Sequence, residues 1–254
     1  MTDVTNLKWR VIGLQERSAF ENMALDESVC ESITAGVQPP TIRFYGWKPS
    51  AVSIGYFQSI EREVNLDVCK NAGVDVVRRR TGGGAVYHDT AGEITYSVLA
   101  PETLFPKNII ESYKEICGWL IAGLAGDGLQ AEFKPINDII AGGKKISGNA
   151  QTRRGGILQQ HGTVLYDLDV RKMFSLLNVS QEKISDKFIA AVEDRVTGVT
   201  KLCGASKQET YNALYKAFTD GKNWGEGDYS QEELERAQAL ATEKYCSREW
   251  NFMR

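Results

Sequence analysis

Lysine, arginine, aspartate and a run of glycines are concentrated in two short segments. The first is Arg78-Arg79-Arg80-Thr81-Gly82-Gly83-Gly84-Ala85-Val86-Tyr87-His88-Asp89. Three successive glycines cost backbone entropy, and they are kept where the chain must take positive φ or lie against a ligand. Free N–H groups in such a loop form a nest for an anion. Adjacent arginines supply charge-assisted, bidentate hydrogen bonds to phosphate. The combination suits a nucleotide or an acyl phosphate. Taken alone, the triplet reads equally well as a hairpin turn beside a solvated basic strand end. It is not a phosphate-binding P-loop, because the GxxxxGKS/T pattern is absent. It is not a GxGxxG turn either, because Tyr87 stands at the last glycine position.

The second segment is Asn137-Asp138-Ile139-Ile140-Ala141-Gly142-Gly143-Lys144-Lys145-Ile146-Ser147-Gly148-Asn149-Ala150-Gln151. Its glycine pair predicts a hairpin over 138–147. With Ile146 toward the core, strict alternation puts Lys145 and Ser147 together on the opposite face. A lysine held on a stiff strand sets its ammonium against developing negative charge. Attack of a carboxylate on an α-phosphate needs that, and so does the later displacement of AMP by an amine. A single hairpin lysine is more often a solvated surface group. Asp138 alone is more often a turn or cap residue than a metal ligand.

The elements that must position these segments are legible in outline. Apolar spacing predicts helices over 18–33 and 108–124, with three more near 170–177, 207–219 and 230–245. The last opens on Ser230-Gln231-Glu232-Glu233, a capping-box pattern. Strands are predicted over 41–47, 51–57, 74–79, 85–87, 93–100 and 157–168, the last bent at Gly162. Strands cluster rather than alternate with helices. The expected fold is therefore α+β, a mixed and largely antiparallel sheet with flanking helices.

Composition bounds the function. A 254-residue chain with 42% hydrophobic residues can bury a sizeable core. A net charge of -3 offers no basic field for nucleic acid. Five scattered cysteines contain no CxxC pair, which argues against structural zinc and suits reduced thiols in the cytoplasm. The opening residues 1–9 are polar and lack a signal core, and no apolar run approaches a membrane span.

Together, RRRTGGGAVYHD, NDIIAGGKKISGNAQ and QHGTVLYDLD resemble the lipoate–protein ligase A family and its octanoyltransferase relatives. FENMALDESV, IRFYGW, SIGYFQS and KYCSREWNF fit the same family, so the resemblance runs from about Leu14 to Phe252. It implies the α+β module shared with biotin ligases and related to class II synthetase cores. The biotin enzymes carry a GRGR-type loop where this chain has GGGAV, which favours a lipoyl or octanoyl group. By motif position, Lys145 matches the family's essential lysine, which contacts both acyl carboxyl and phosphate. Arg79 matches an arginine of the nucleotide site. Gly82, Gly83, Gly84, Ala85, Val86 and Tyr87 match the loop around the acyl chain and adenylate. Asn137 and Asp138 match a pair near the nucleotide, with Asp138 a magnesium ligand. Ser147, Gly148, Ala150 and Gly162 complete the implied binding set with His88 and His161. Both histidines are expected to be buried and hydrogen-bonded rather than catalytic.

The resemblance implies a catalytic domain over 1–222 and a helical extension of it over 223–254, with no accessory C-terminal domain. Either a separate accessory protein then replaces that domain, or the enzyme is a small one-domain variant. It implies ATP, magnesium, lipoate with a lipoyl-AMP intermediate, and a carrier-protein lysine as acceptor. Nucleic acid and membrane are not expected as partners. The alternative within the family is octanoyl transfer between carriers without ATP, through a cysteine thioester. In one such type the cysteine lies just before the lysine hairpin. The matching stretch here, 131–138, contains none. Cys117 falls in the apolar pattern of a helix and reads as a core residue. ATP-driven ligation is therefore the expected branch. A non-catalytic acyl-binding protein on the same scaffold is the competing class.

Overall fold

The computed structural model describes residues 7–178 and 186–254. Most of the polar opening, 1–6, lies outside the described residues. Among these residues, eleven strands form two sheets. They are β1 (Trp9–Arg17), β2 (Thr41–Trp47), β3 (Ala51–Ile54), β4 (Asp75–Arg78), β5 (Val86–His88), β6 (Glu93–Pro101), β7 (Ala131–Lys134), β8 (Asp138–Ala141), β9 (Lys144–Arg154), β10 (Ile157–Leu165) and β11 (Trp224–Glu226). The large sheet has the order β11-β1-β2-β6-β10-β9-β8-β7, and β4-β3-β5 form the small one. β1 is parallel to β2 and β11, and the other pairs of the large sheet are antiparallel. The fold is α+β, as expected.

Both faces of the large sheet are buried, so its central strands lose the polar alternation of a half-exposed sheet. Every residue of β2 is buried. One face packs on helices Ile109–Gly126 and Lys207–Thr219 through Phe44, Tyr96, Ile116 and Phe218. The other packs on helices Ala19–Thr34 and Gln231–Leu240 through Met23, Tyr45, Trp47 and Leu240. Helix starts follow local rules. Ser18 with Glu21, Ser206 with Glu209 and Ser230 with Glu233 each close a capping box. The helix Gln231–Leu240 passes into a π turn over Ala241–Tyr245.

The structure departs from the sequence expectation at several places. β1, β7 and β11 carry no clear periodic signal and exist through pairing with neighbours. β3 ends at Ile54, and β10 ends at Leu165. No bend occurs at Gly162, which pairs in register with Tyr96 and Asn149 on both sides. A side chain there would run into the Asn149 amide, so Gly162 answers to packing rather than to backbone bending. No helix among the described residues is long and apolar enough to cross a membrane.

Candidate active site

The strand registers align one row across five strands. Tyr45 of β2 lies opposite Thr95 of β6, Thr95 opposite Thr163 of β10, Thr163 opposite Gly148 of β9, and Gly148 opposite Asp138 of β8. At a strand spacing of about 4.8 Å, Tyr45 and Gly148 stand about 14 Å apart. Tyr45, Thr95, Thr163 and Gly148 all line a cavity of about 290 Å³. The middle three are small, so the row forms a trough. Gly83, Gly84 and Ala85 line it from the glycine loop, and Met23 lines it from the helix Ala19–Thr34.

Lys145 reaches this trough because β9 is bulged. Asp138 pairs with Gly148 and Ile139 with Ser147, but Ile140 pairs with Lys145, leaving Ile146 unpaired. Ile146 and Ser147 are both fully buried. Asn149 Nδ2 donates to Ser147 Oγ at 3.3 Å. Lys145 instead turns toward Gly148, where a Cβ would sit 3.0 Å from its Nζ. The expectation that Lys145 and Ser147 share a face is thus corrected. One extra residue resets the period-2 phase and aligns Lys145 with Gly148. Its Nζ lies 2.7 Å from Asp138 Oδ1, and both side chains are partly exposed. Its backbone is fixed on the outer side as well: Lys145 N–H donates to Arg195 O at 2.8 Å, and Thr197 N–H donates to Lys145 O at 2.9 Å.

The glycine loop is held by a cation beneath it. Arg79 donates to Gly82 O at 2.8 Å and Gly84 O at 2.7 Å, and also to Ser53 O and Oγ, both at 3.1 Å. Gly83 has φ of 98°, and a Cβ there would meet the Arg79 guanidinium. Burial without a carboxylate partner pushes the Arg79 pKa down to about 10. The three arginines do not form one phosphate clamp. Arg78 is fully buried and donates to five backbone carbonyls, of Gly55, Tyr56, Gln58, Trp250 and Asn251. Arg80 faces Glu27 at 3.9 Å. Only Arg79 borders the cavity.

Both histidines border the cavity and are buried and bonded. His88 lies between Ser53 Oγ and Glu93 Oε1, each at 2.8 Å, and stacks on Trp47 at 3.9 Å. His161 Nε2 is 2.7 Å from Thr81 Oγ1, and its Nδ1 faces Asp26 Oδ2 at 3.5 Å. Burial holds the His161 pKa below its ordinary value against the pull of Asp26. The neutral ring then carries its proton toward Asp26 and accepts from the Thr81 hydroxyl. Burial alone would raise the Asp26 pKa, but Arg43 at 2.8 Å, with His161 and Ser97, outweighs it and holds the carboxyl below its usual range. Asp26 therefore ties the helix Ala19–Thr34 to the start of the glycine loop.

Most of the expected residues meet here. Arg79, Gly83, Gly84, Ala85, Val86, Tyr87, His88, Asn137, Lys145, Gly148, Ala150, His161 and Gly162 line the cavity. Gly82 and Ser147 do not, and Asp138 stands behind its pair with Lys145. No group of three potential metal-ligating side chains occurs among the described residues. The trough residues Tyr45, Thr95 and Thr163 were not singled out from sequence, although Tyr45 lies in a recognised segment. Their signal is alternation: each occupies one face of a strand whose opposite face feeds the other core. None of the five cysteines lines the cavity. Burial pushes the Cys117 and Cys30 thiols up to about 12 and Cys69 to about 11, and Cys203 and Cys246 are exposed elsewhere.

Comparison with known proteins bears on this geometry. The model of the lipoyl protein ligase A/B catalytic domain matches residues 18–219. The chain is 34% identical to octanoyltransferase LipM of Brevibacillus brevis, across 97% of this chain and 99% of that one. It is likewise 34% identical to LipM of Bacillus subtilis, across 97% and 98%. Among solved structures it is similar to a bi-partite lipoate protein ligase from Thermoplasma acidophilum, described with its E2 lipoyl domain (32% identity, TM-score 0.88, 97% of each chain). It is also similar to a lipoate-protein ligase A bound with ATP (30% identity, TM-score 0.82, 97% and 99%).

Proposed function

This chain belongs to the lipoyl protein ligase A/B catalytic family, whose members transfer lipoyl or octanoyl groups to carrier proteins, and on that footing we propose that it does so by ATP-driven activation. The acid's carboxylate attacks the α-phosphorus of ATP, and pyrophosphate leaves. The acceptor lysine's amine then attacks the acyl carbonyl of the adenylate, and AMP leaves. The observation that carries this reading is Lys145, turned by the bulge into a trough that no cysteine borders. The ammonium neutralises charge at the carboxylate–phosphate junction, which suits a preorganised cation in a partly closed site. Arg79, buried without a carboxylate, adds positive charge beside the glycine loop. The acyl chain lies along the trough, from Gly148 toward Tyr45.

Asp138 alone builds no metal centre, so a magnesium ion would take most of its ligands from nucleotide phosphates and water. Residues 223–254 belong to the same catalytic unit in this reading, because β11 joins the large sheet and the helix Gln231–Leu240 packs on Ala19–Thr34. The acceptor is a lipoyl carrier domain, met in the cytoplasm where ATP is available. A second polypeptide completing the reaction is part of the proposal, by analogy with the bi-partite neighbour.

The names of the curated relatives favour a second reading, octanoyl transfer between carriers without ATP. That route stores the acyl group on a thiolate. Buried thiols with pKa values near 12 are protonated at neutral pH and poor nucleophiles. The test measures pyrophosphate–ATP exchange dependent on lipoate or octanoate, beside transfer from octanoyl carrier protein without ATP, in the parent and in a variant with all five cysteines replaced. Acid-dependent exchange that survives cysteine replacement supports ligation. ATP-free transfer that the parent performs and the cysteine-free variant loses would establish the second reading.

A further inference from the structure

Two side chains of the cavity wall are tied to a carboxylate that the cavity does not touch. Arg79 Nη1 donates to Ser53 Oγ at 3.1 Å, and Ser53 is the only side chain that accepts from Arg79 among the described residues. Ser53 Oγ lies 2.8 Å from His88 Nε2, and His88 Nδ1 lies 2.8 Å from Glu93 Oε1. On a second branch, Trp47 Nε1 donates to Thr95 Oγ1 at 2.8 Å, and Thr95 donates to the same Glu93 oxygen at 2.7 Å. Arg79, Ser53, His88, Trp47 and Thr95 border the cavity, and Glu93 does not. All six are buried.

The direction of these bonds follows from their ends. A guanidinium and an indole N–H can only donate. Ser53 Oγ therefore accepts from Arg79 and has its own hydrogen left for His88 Nε2. The ring then carries its proton on Nδ1 and donates it to Glu93. Both branches run one way and close on one oxygen. Without that acceptor the Nδ1 proton would be buried and unpaired, which is costly. The proton then moves to Nε2 and points at Ser53. The hydroxyl now faces two donors, its own hydrogen has lost its acceptor, and it turns away from Arg79. We propose that Glu93 is a positioning residue for the acyl-transfer site. Through His88 and Ser53 it fixes the Arg79 guanidinium under the glycine loop, at Gly82 O and Gly84 O. The proposal rests on the acyl-transfer reading above and goes beyond it, to a group that touches no substrate.

The experiment is a double-mutant cycle. Glu93→Leu removes the acceptor and keeps the space filled, and Ser53→Ala cuts the chain between Glu93 and Arg79. The kcat/KM for acid-dependent pyrophosphate exchange is measured in the parent, both single variants and the double variant. Glu93→Leu should cost about tenfold in the parent background, the scale of a sub-ångström misplacement, and about twofold or less once Ser53 is alanine. Equal falls in the two backgrounds would overturn the proposal, and so would no fall in the first. Nitrogen-15 NMR of the imidazole rings reads the bond direction itself, since the chain has two histidines and a His161→Gln sample identifies the other. His88 should carry its proton on Nδ1 in the parent and on Nε2 in Glu93→Leu. A proton on Nε2 of the parent would overturn the proposal equally, and that measurement stands even where Glu93→Leu does not fold. Failure of the activation reading has a different signature, namely a parent that exchanges no pyrophosphate with either acid. The same cycle then reads transfer from octanoyl carrier protein, and the ring proton is located as before.

Discussion

Replacing Gly148 with alanine isolates the position of the Lys145 ammonium from the stability of the fold. The new Cβ would stand 3.0 Å from Lys145 Nζ and 3.1 Å from its Cε. Non-bonded carbons prefer about 3.5–4.0 Å, so the lysine head must retreat by about half an ångström or more. The backbone accepts the change, because Gly148 is not among the glycines at positive φ. Removing a strand glycine favours folding by about 0.5–1 kcal/mol. Loosening the Lys145–Asp138 pair, which is partly exposed at both ends, costs about 0–1 kcal/mol. The two nearly cancel, so Tm should stay within about 3 °C of the parent. Catalysis should not be spared. A misplacement of about 1 Å can cost 10²-fold, and half of that predicts roughly a tenfold fall in kcat for acyl activation. Thermal denaturation and acid-dependent pyrophosphate exchange, run on the same preparation, measure both. A Gly148→Ala protein with parental Tm and kcat within twofold of the parent would refute the placement of Lys145 at the reacting atoms.

Lys145→Ala should abolish acyl-adenylate formation while leaving Tm within about 3 °C, because its ion pair with Asp138 is partly exposed at both ends; adenylate formed at the parental rate would remove Lys145 from the chemistry. Gly83→Val should weaken both acid and nucleotide binding and lower stability by about 1–3 kcal/mol, since valine at φ of 98° also drives into the Arg79 guanidinium; unchanged affinities in a folded variant would contradict the loop's role. Acid should destabilise the protein through His161. Its pKa is lowered from 6.5 in the folded state, so the unfolded chain binds the proton first and stability falls as pH drops below about 6.5. Denaturant midpoints between pH 7 and 5 should fall less steeply in His161→Gln, and parallel slopes in the two proteins would exclude that histidine as a source.

Much of this protein is determined locally. The three capping boxes start helices where Ser and Glu stand three apart, because both groups lie within one turn. Gly142 and Gly143 both take positive φ, at 57° and 75°, and close the β8–β9 hairpin as their adjacency predicts. The motif segments mark the cavity, and thirteen of the sixteen residues expected there line it. The histidines are buried and paired, as their segments suggested.

Only the tertiary structure decided which way the lysine points. Local alternation gives Lys145 the face of Ser147, and the bulge at Ile146 reverses it. That bulge lies beyond Val164, the last β10 partner of β9, where the backbone of Lys145 turns to Arg195 and Thr197 instead. A partner fifty residues away in sequence leaves no trace in a local pattern. The trough has the same character: Tyr45, Thr95, Thr163 and Gly148 come from four strands whose registers meet only when the sheet closes. Residue types and short-range spacing encode helix caps, turns and candidate chemistry, because those interactions span a few residues. Phase across a bulge and alignment of a row across a sheet are properties of long-range hydrogen bonding, which exists only once the chain is folded.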